Sequence, residues 1–456
     1  MEHSDSEAQY LRMTQTPIPK LIVSLAVPTI ISMLVTSIYN LADTYFVSCL
    51  KSDSATGAVG VVFALMAIIQ AVGFAVGLGS GSIISRLLGQ QKKDEADGVF
   101  CSGFTAAVVL GLLVTILGLL FLNPLMRLLG STDSILPYAR DYGQYILLGA
   151  PVMTASFVLN NVLRSEGHAT LSMVGITVGG VLNIILDPIF IFVFGMGIAG
   201  AAIATVLSQC ISFLVLLSCF VTKKSTLRLS VRHISPKPMV YIDILRTGLP
   251  SFFRQGLASI ATAALTVAAG AYGDSAVAAM SVVGRVFMFI LSVLIGFGQG
   301  YQPVVGYNYG AKRYDRVRAA FFFTLKTGSL MMGILAVAGW FAAPLVIGLF
   351  GSGPMQEIGT FAMRAQCVGL LFQPLGVVSN MTFQSIGKSW QATVLSSARQ
   401  GIFFLPLILI LPPTIGLMGV QLTQPLADVL TFLTCIPFLV FFFRELAEKV
   451  STPTEL

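Results

Sequence analysis

Asp53-Ser54-Ala55 starts a stretch that ends at Ile84-Ser85-Arg86-Leu87-Leu88-Gly89, and the same kind of text starts again at Asp274-Ser275-Ala276 and ends at Gly310. Without a gap, Val61-Val62 falls on Val282-Val283, Gly77-x-Gly79 on Gly298-x-Gly300, and Gly89 on Gly310. Asp94 then falls on Asp315 and Gly130-Ser131 on Gly351-Ser352. Farther along, Ser165-x-Gly167 is echoed by Ser385-x-Gly387 and Gly197-x-x-Gly200 by Gly416-x-x-Gly419. The chain is a duplicated unit of about 220 residues, far longer than a solenoid repeat.

The duplicated text is apolar. Of 456 residues, 55% are hydrophobic and 10% charged, and the mean hydropathy is +0.86. Stretches of about 20 residues or more, long enough to span a bilayer, lie near 18–48, 54–86, 98–122, 138–163, 169–195, 198–221, 240–272, 275–306, 316–350, 358–384, 391–412 and 415–443. Period-two alternation is absent, which argues against a β-barrel. The expected fold is an all-α integral membrane protein with twelve transmembrane helices. The opening, Met1 to Gln15, is polar, and the first apolar stretch is too long for a cleavable signal peptide.

Six spans per half is an even number, so both halves enter the membrane from the same side and the repeat is parallel, related by an axis along the membrane normal. Two six-helix bundles follow, over residues 1–221 and 240–456, with a polar linker at 222–239 (TKKSTLRLSVRHISPKPM) that reads as a solvated charged loop. One set of loops holds Arg86, Lys92, Lys93, Arg164, Lys223, Lys224, Arg228, Arg232, Lys237, Lys312, Arg313, Arg316, Arg318, Lys388, Arg444 and Lys449. The alternate set holds Lys51, Arg127, Arg140 and Arg364. The positive-inside rule places the first set, with both termini, in the cytoplasm and accounts for the net charge of +7. Basic residues spread over such loops do not suit nucleic acid. A duplicated membrane chain points instead to a transporter whose central site lies between its halves.

Acids inside apolar spans are expensive and call for a partner or a function. Asp43, in LVTSIYNLADTYFVS, lies roughly 35 Å along the first span at 1.5 Å per residue, in its outer half. Tyr39 shares its face one turn earlier, and Pro28 is expected to kink the same helix. Asp187, in GGVLNIILDPIF, lies at a similar depth on the fifth span, with Asn183 one turn below. Pro188 deprives a carbonyl of the preceding turn of its donor, which suits a cation. Together these residues describe one polar pocket in the first half. Asp428, midway down the last span, is either a structural ion-pair partner of Arg254, Arg285 or Arg399, or a further coupling acid.

The duplication supplies an internal comparison. Asp43 falls on Ala264 or Leu265, Asp187 on Pro406 or Leu407, and Asn183 on Ile402 or Phe403. Cation chemistry therefore belongs to the first half. Cys49, Cys101, Cys210, Cys219, Cys367 and Cys435 show no ligand spacing and are expected to be buried small apolar residues. His3, His168 and His233 are scattered, so no metal site is expected of them. The glycines at 77–81 and 296–300 suit close helix packing, and no P-loop is present to bind ATP.

Leu182-Asn-Ile-Ile-Leu-Asp-Pro188, Gly200-Ala-Ala-Ile-Ala-Thr205 and Ile84-Ser-Arg-Leu-Leu-Gly89, together with the duplication and the spans, resemble the MATE (multidrug and toxic compound extrusion) family, most closely its MepA-like bacterial branch, over nearly the whole chain. The resemblance implies a V-shaped pair of six-helix bundles, working by alternating access as a monomer in a bacterial cytoplasmic membrane. It implies antiport of small organic cations against H⁺ or Na⁺, no other cofactor, and no enzymatic activity. The family's first-half cation site matches onto Asp43, Asn183, Asp187 and Thr205, with Tyr39 beside it, and Na⁺ would sit at Asp43, Asn183 and Asp187. Tyr39, Met153, Phe157 and Met288 are the candidates for the drug cavity. Some relatives carry acids in the seventh and tenth spans; here Arg254 stands near the first of those places and the tenth span has no acid. Two rivals fit less well. A lipid-linked oligosaccharide flippase needs several cations within the spans for its pyrophosphate. A membrane-embedded transferase needs a constellation that three scattered histidines do not supply.

Overall fold

The computed structural model describes residues 2–451. The side chains of residues 2–5, Asp53, Thr56 and Ser451 lie outside that description, as do the terminal residues of the two expected bundles; His3 is among these side chains. In lipid every backbone group must be satisfied within the segment, and an apolar chain of this kind does so as helices. Helix α1 is Glu2–Gln15. The first half then runs α2 (Ile18–Ser48), α3 (Asp53–Gly89), α4 (Lys93–Leu120), short α5 (Leu122–Leu128), α6 (Leu136–Ser165), α7 (Ala169–Pro188) and α8 (Gly197–Val221). The second half runs α9 (Pro238–Gly270), α10 (Asp274–Gly310), α11 (Tyr314–Gly348), α12 (Pro354–Leu370), α13 (Gln373–Ser385), α14 (Ser389–Ser397), α15 (Phe404–Ile415) and α16 (Leu417–Ser451). Among the described residues eleven helical segments are long and apolar enough to cross a membrane. The pair α12 and α13, bent by 49°, supplies a twelfth. The twelve expected spans are thus present, the tenth as a broken helix.

The duplication is visible in the packing. Asn160 Nδ2 donates to the carbonyl of Ser172 at 3.3 Å, and its repeat-mate Asn380 donates to the carbonyl of Ala392 at 2.6 Å. Gly89 and Gly310, also repeat-mates, each meet the other half's backbone. A Cβ at Gly89 would lie 2.1 Å from the carbonyl oxygen of Tyr307, and one at Gly310 would lie 2.1 Å from that of Arg86. Only glycine permits that approach.

The halves share one core and then part. A cluster that includes Leu21, Leu25, Val76, Phe100, Leu163, Tyr301, Phe321, Phe383 and Phe442 draws on both halves at the end that carries α1 and the linker. At the other end each half has its own cluster, around Val62, Tyr142 and Ile146 in the first and around Val283, Met332 and Met363 in the second. The result is a V, closed at the end of α1 and open away from it.

Two segments pack onto the closed end, and the linker does so against expectation. The linker is docked rather than freely solvated. Leu227 is buried, the Thr226 amide donates to Glu166 Oε2 at 2.8 Å, and the Arg228 amide donates to Asp97 Oδ1 at 2.8 Å. Helix α1 bridges both halves. Gln9 Nε2 donates to the carbonyl of Glu166 at 2.5 Å, while Asn308 donates to the carbonyl of Met13 at 3.1 Å and Arg316 to that of Thr16 at 2.6 Å. The cysteine expectation also needs correction: Cys49 is exposed and Cys210 half-buried, the other four being buried. Cys49 caps the end of α2 rather than lying inside it.

Candidate functional site

The first half gathers its polar groups on α2, α6, α7 and α8. Helix α2 places Tyr39 and Asp43 one turn apart, both buried. Helix α7 places Asn183 and Asp187 one turn apart, also both buried. Pro188 closes α7, and a wide π-helical turn at Ile189–Val193 follows, so Asp187 stands where the regular helix gives way. Such turns recur at functional sites. A close approach of α7 to α2 brings the two pairs together: a Cβ at Gly180 would sit 3.2 Å from Cδ1 of Tyr39.

Asn183 links the group. Its Nδ2 donates to Asp187 Oδ1 at 3.2 Å and to Thr205 Oγ1 on α8 at 3.2 Å. Asp43 Oδ2 accepts from the Tyr142 hydroxyl on α6 at 3.1 Å. Three oxygens remain buried without a hydrogen-bond donor, namely Asp43 Oδ1, Asn183 Oδ1 and Asp187 Oδ2. Buried acceptors are nearly always paired. Two carboxylates and an amide carbonyl with open oxygens form a hard-oxygen donor set, the chemistry that suits a proton or an alkali cation.

Sequence reasoning brought Asp43, Asn183, Asp187, Thr205 and Tyr39 to this place but missed Tyr142. The internal comparison held the signal, since Tyr142 falls on Ala362 or Met363 in the second half, both in that half's apolar cluster. The counterparts of Asp43 and Asn183 lie there too, with Ala264, Leu265 and Phe403 packed against the same cluster. The four proposed cavity residues have different surroundings. Tyr39 is in the site, Met153 is buried in the first-half core, Phe157 tilts against Phe74 with ring centroids 4.7 Å apart, and Met288 is 66% exposed. Pro28 lies within a continuous α2.

Asp428 has a different character. Arg399 Nε pairs with its Oδ1 at 2.6 Å, Gln373 donates to its Oδ2 at 2.9 Å, and Gln424 donates to Oδ1 at 3.1 Å. Both of its oxygens have donors, in contrast to Asp43 and Asp187. Of the three candidate partners, Arg399 is the one that forms the pair.

Comparison with known proteins agrees with this architecture. The MatE family model matches residues 28–189 and again 250–410, one stretch in each half. The multidrug export protein MepA of Staphylococcus haemolyticus is 27% identical over 446 residues, covering 96% of this chain and 97% of that protein. An outward-facing multidrug resistance MATE family transporter of the MOP superfamily superposes with a TM-score of 0.90 at 28% identity, over 97% of this chain and 99% of that one. A MATE protein solved in a bent conformation does so with a TM-score of 0.90 at 29% identity, over 97% and 99%. Matched in both halves by one model and across its length by transporters rather than enzymes, the chain belongs to the MatE family of membrane transporters.

Proposed function

We propose that this transporter exports amphipathic organic cations in exchange for H⁺ or Na⁺, and that the coupling ion binds among Asp43, Asn183 and Asp187. One observation carries the reading: two acids buried within apolar spans each keep an open carboxylate oxygen, whereas the second-half acid Asp428 has donors on both of its oxygens. A proton or Na⁺ neutralises the site, and its loss restores negative charge that favours a cationic cargo. Ion and cargo then bias one two-state equilibrium in opposite directions. Multidrug export by the MepA relative supports this cargo class.

In this reading the closed end, rich in Lys and Arg, faces the cytoplasm, and the cleft opens outward. Helix α2 is the moving part. Pro28 lies between Ala26 and Ile30, the two places where α2 touches glycines of α10: Cβ atoms at Gly300 and Gly296 would fall 2.4 and 2.7 Å from the Cα atoms of those two residues. Bending at the proline changes this contact between the halves, which ties the ion site on the same helix to the opening of the closed end. The test is dye export from energised cells. Collapse of the ion gradients should stop efflux of a cationic dye, while depletion of ATP at constant gradient should not. The opposite pattern would contradict ion coupling.

A further inference from the structure

Helix α1 is fastened to both halves at the closed end, and one proline sets how. Thr16 and Pro17 separate α1 from α2. A helix that ran on would bond the carbonyl of Met13 to the amide of residue 17, but proline has no N–H. Met13 is fully buried, so its carbonyl needs a donor from elsewhere. The second half supplies it: Asn308 Nδ2, on α10, donates to that carbonyl at 3.1 Å. The Arg316 guanidinium, on α11, donates to the carbonyl of Thr16, in the break itself, at 2.6 Å.

Asn308 and Arg316 form one unit. Arg316 Nε donates to Asn308 Oδ1 at 2.9 Å, and Asn308 Nδ2 also donates to the carbonyl of Val304 at 2.8 Å. These bonds fix the amide toward α1. The duplication does not place the pair there, since Asn308 falls on Leu87 and Arg316 on Glu95. On the other side α1 rests on the end of α6. Gln9 Nε2 donates to the carbonyl of Glu166 at 2.5 Å, and a Cβ at Gly167 would lie 2.9 Å from Met13 Sδ. The linker holds Glu166 in turn, through Ser225 Oγ at 2.7 Å and the Thr226 amide at 2.8 Å. Those contacts stay within the first half, to which the chain also joins α1. The contacts with Asn308 and Arg316 cross between the halves, so they are the ones that must break when the halves part at this end.

We propose that α1 is a latch on the inner end of the transporter. Its proline-broken junction with α2 docks on the Asn308–Arg316 pair and holds that end shut. It leaves the pair, while staying on Glu166 and Gly167, each time the end opens. The latch rests on the two-state exchange proposed for this transporter and adds to it the element that closes the inner end.

The first test reads opening directly, without cargo or ion gradient. Ser85 is buried between the halves, beside Gly306. In the full chain with its six native cysteines replaced by serine, the rate at which Ser85→Cys reacts with a thiol reagent measures opening. Arg316→Gln should raise that rate severalfold, and Arg318→Gln, which has no bond to α1, should leave it unchanged. An unchanged rate in Arg316→Gln overturns the latch. The second test uses the same serine background with Ser85 intact and measures gradient-driven dye transport in proteoliposomes. Thr16→Cys/Arg316→Cys should transport until a short bismaleimide joins the two cysteines, and then stop. Arg12→Cys/His168→Cys, which ties α1 to the first half, should transport before and after joining. Continued transport by the first pair once joined, or loss of transport by the second, overturns the proposal. Absence of gradient-driven transport before joining would count against ion exchange, and the labelling rates would still decide the latch.

Discussion

Tyr142 donates its hydroxyl to Asp43 Oδ2 at 3.1 Å, joining the fourth span to the acid of the first. The bond supports the charged carboxylate and competes with the ion that would neutralise it. Tyr142→Phe removes this donor and leaves the ring in place. A hydrogen bond to a charged group contributes about 1.5–3 kcal/mol, and about 1.4 kcal/mol equals one pH unit or tenfold in affinity. The ion should therefore bind at least about tenfold more tightly in the variant. Half-maximal efflux should move to higher pH if the ion is H⁺, or to lower sodium if it is Na⁺. Profiles identical to wild type would show that Tyr142 has no part in coupling.

Asp428 and Arg399 should behave as a structural pair. Removing one partner of a buried pair leaves an uncompensated charge. Because Arg399 is 21% exposed, Asp428→Asn should cost somewhat less than the roughly 3–5 kcal/mol of a fully buried case. A lower unfolding midpoint, partly recovered in Asp428→Leu/Arg399→Leu, is the expected result. Folded Asp428→Asn protein should retain gradient-dependent efflux. Its loss would place a coupling acid in the second half.

Cys49 offers a native reporter of orientation. It is exposed at the open end, whereas Cys101, Cys219, Cys367 and Cys435 are buried. An impermeant thiol reagent should label intact cells, and Cys49→Ser should abolish the signal. A cysteine introduced at Lys93 should react only after permeabilisation. The reverse pattern would invert the orientation read from charge.

The spans were legible because lipid leaves an apolar chain little choice but helix, and Asp43 and Asp187 were legible because a charge in such text is expensive. Tyr142 was not, because an amphipathic ring is ordinary in a membrane helix, and only its mate at Ala362 or Met363 sets it apart. The break between α12 and α13 was read as continuous apolar sequence. Docking of the linker was hidden because its partners, Asp97 and Glu166, lie on α4 and at the end of α6, far away in sequence. Cys49 was misjudged although the end of its span at residue 48 was read correctly, because a cysteine just past a helix end is exposed where one inside the helix packing is buried.

The central claim is that Asp43 and Asp187 couple cargo to ion flow. It is tested most directly by cationic-dye transport in proteoliposomes carrying purified wild-type, Asp43→Asn or Asp187→Asn protein, under an imposed proton or sodium gradient. Wild type should transport against the dye gradient with one of the two ions. Both variants, folded and present in equal amount, should lose the dependence on that gradient. Wild-type rates and gradient dependence in either variant would contradict the account.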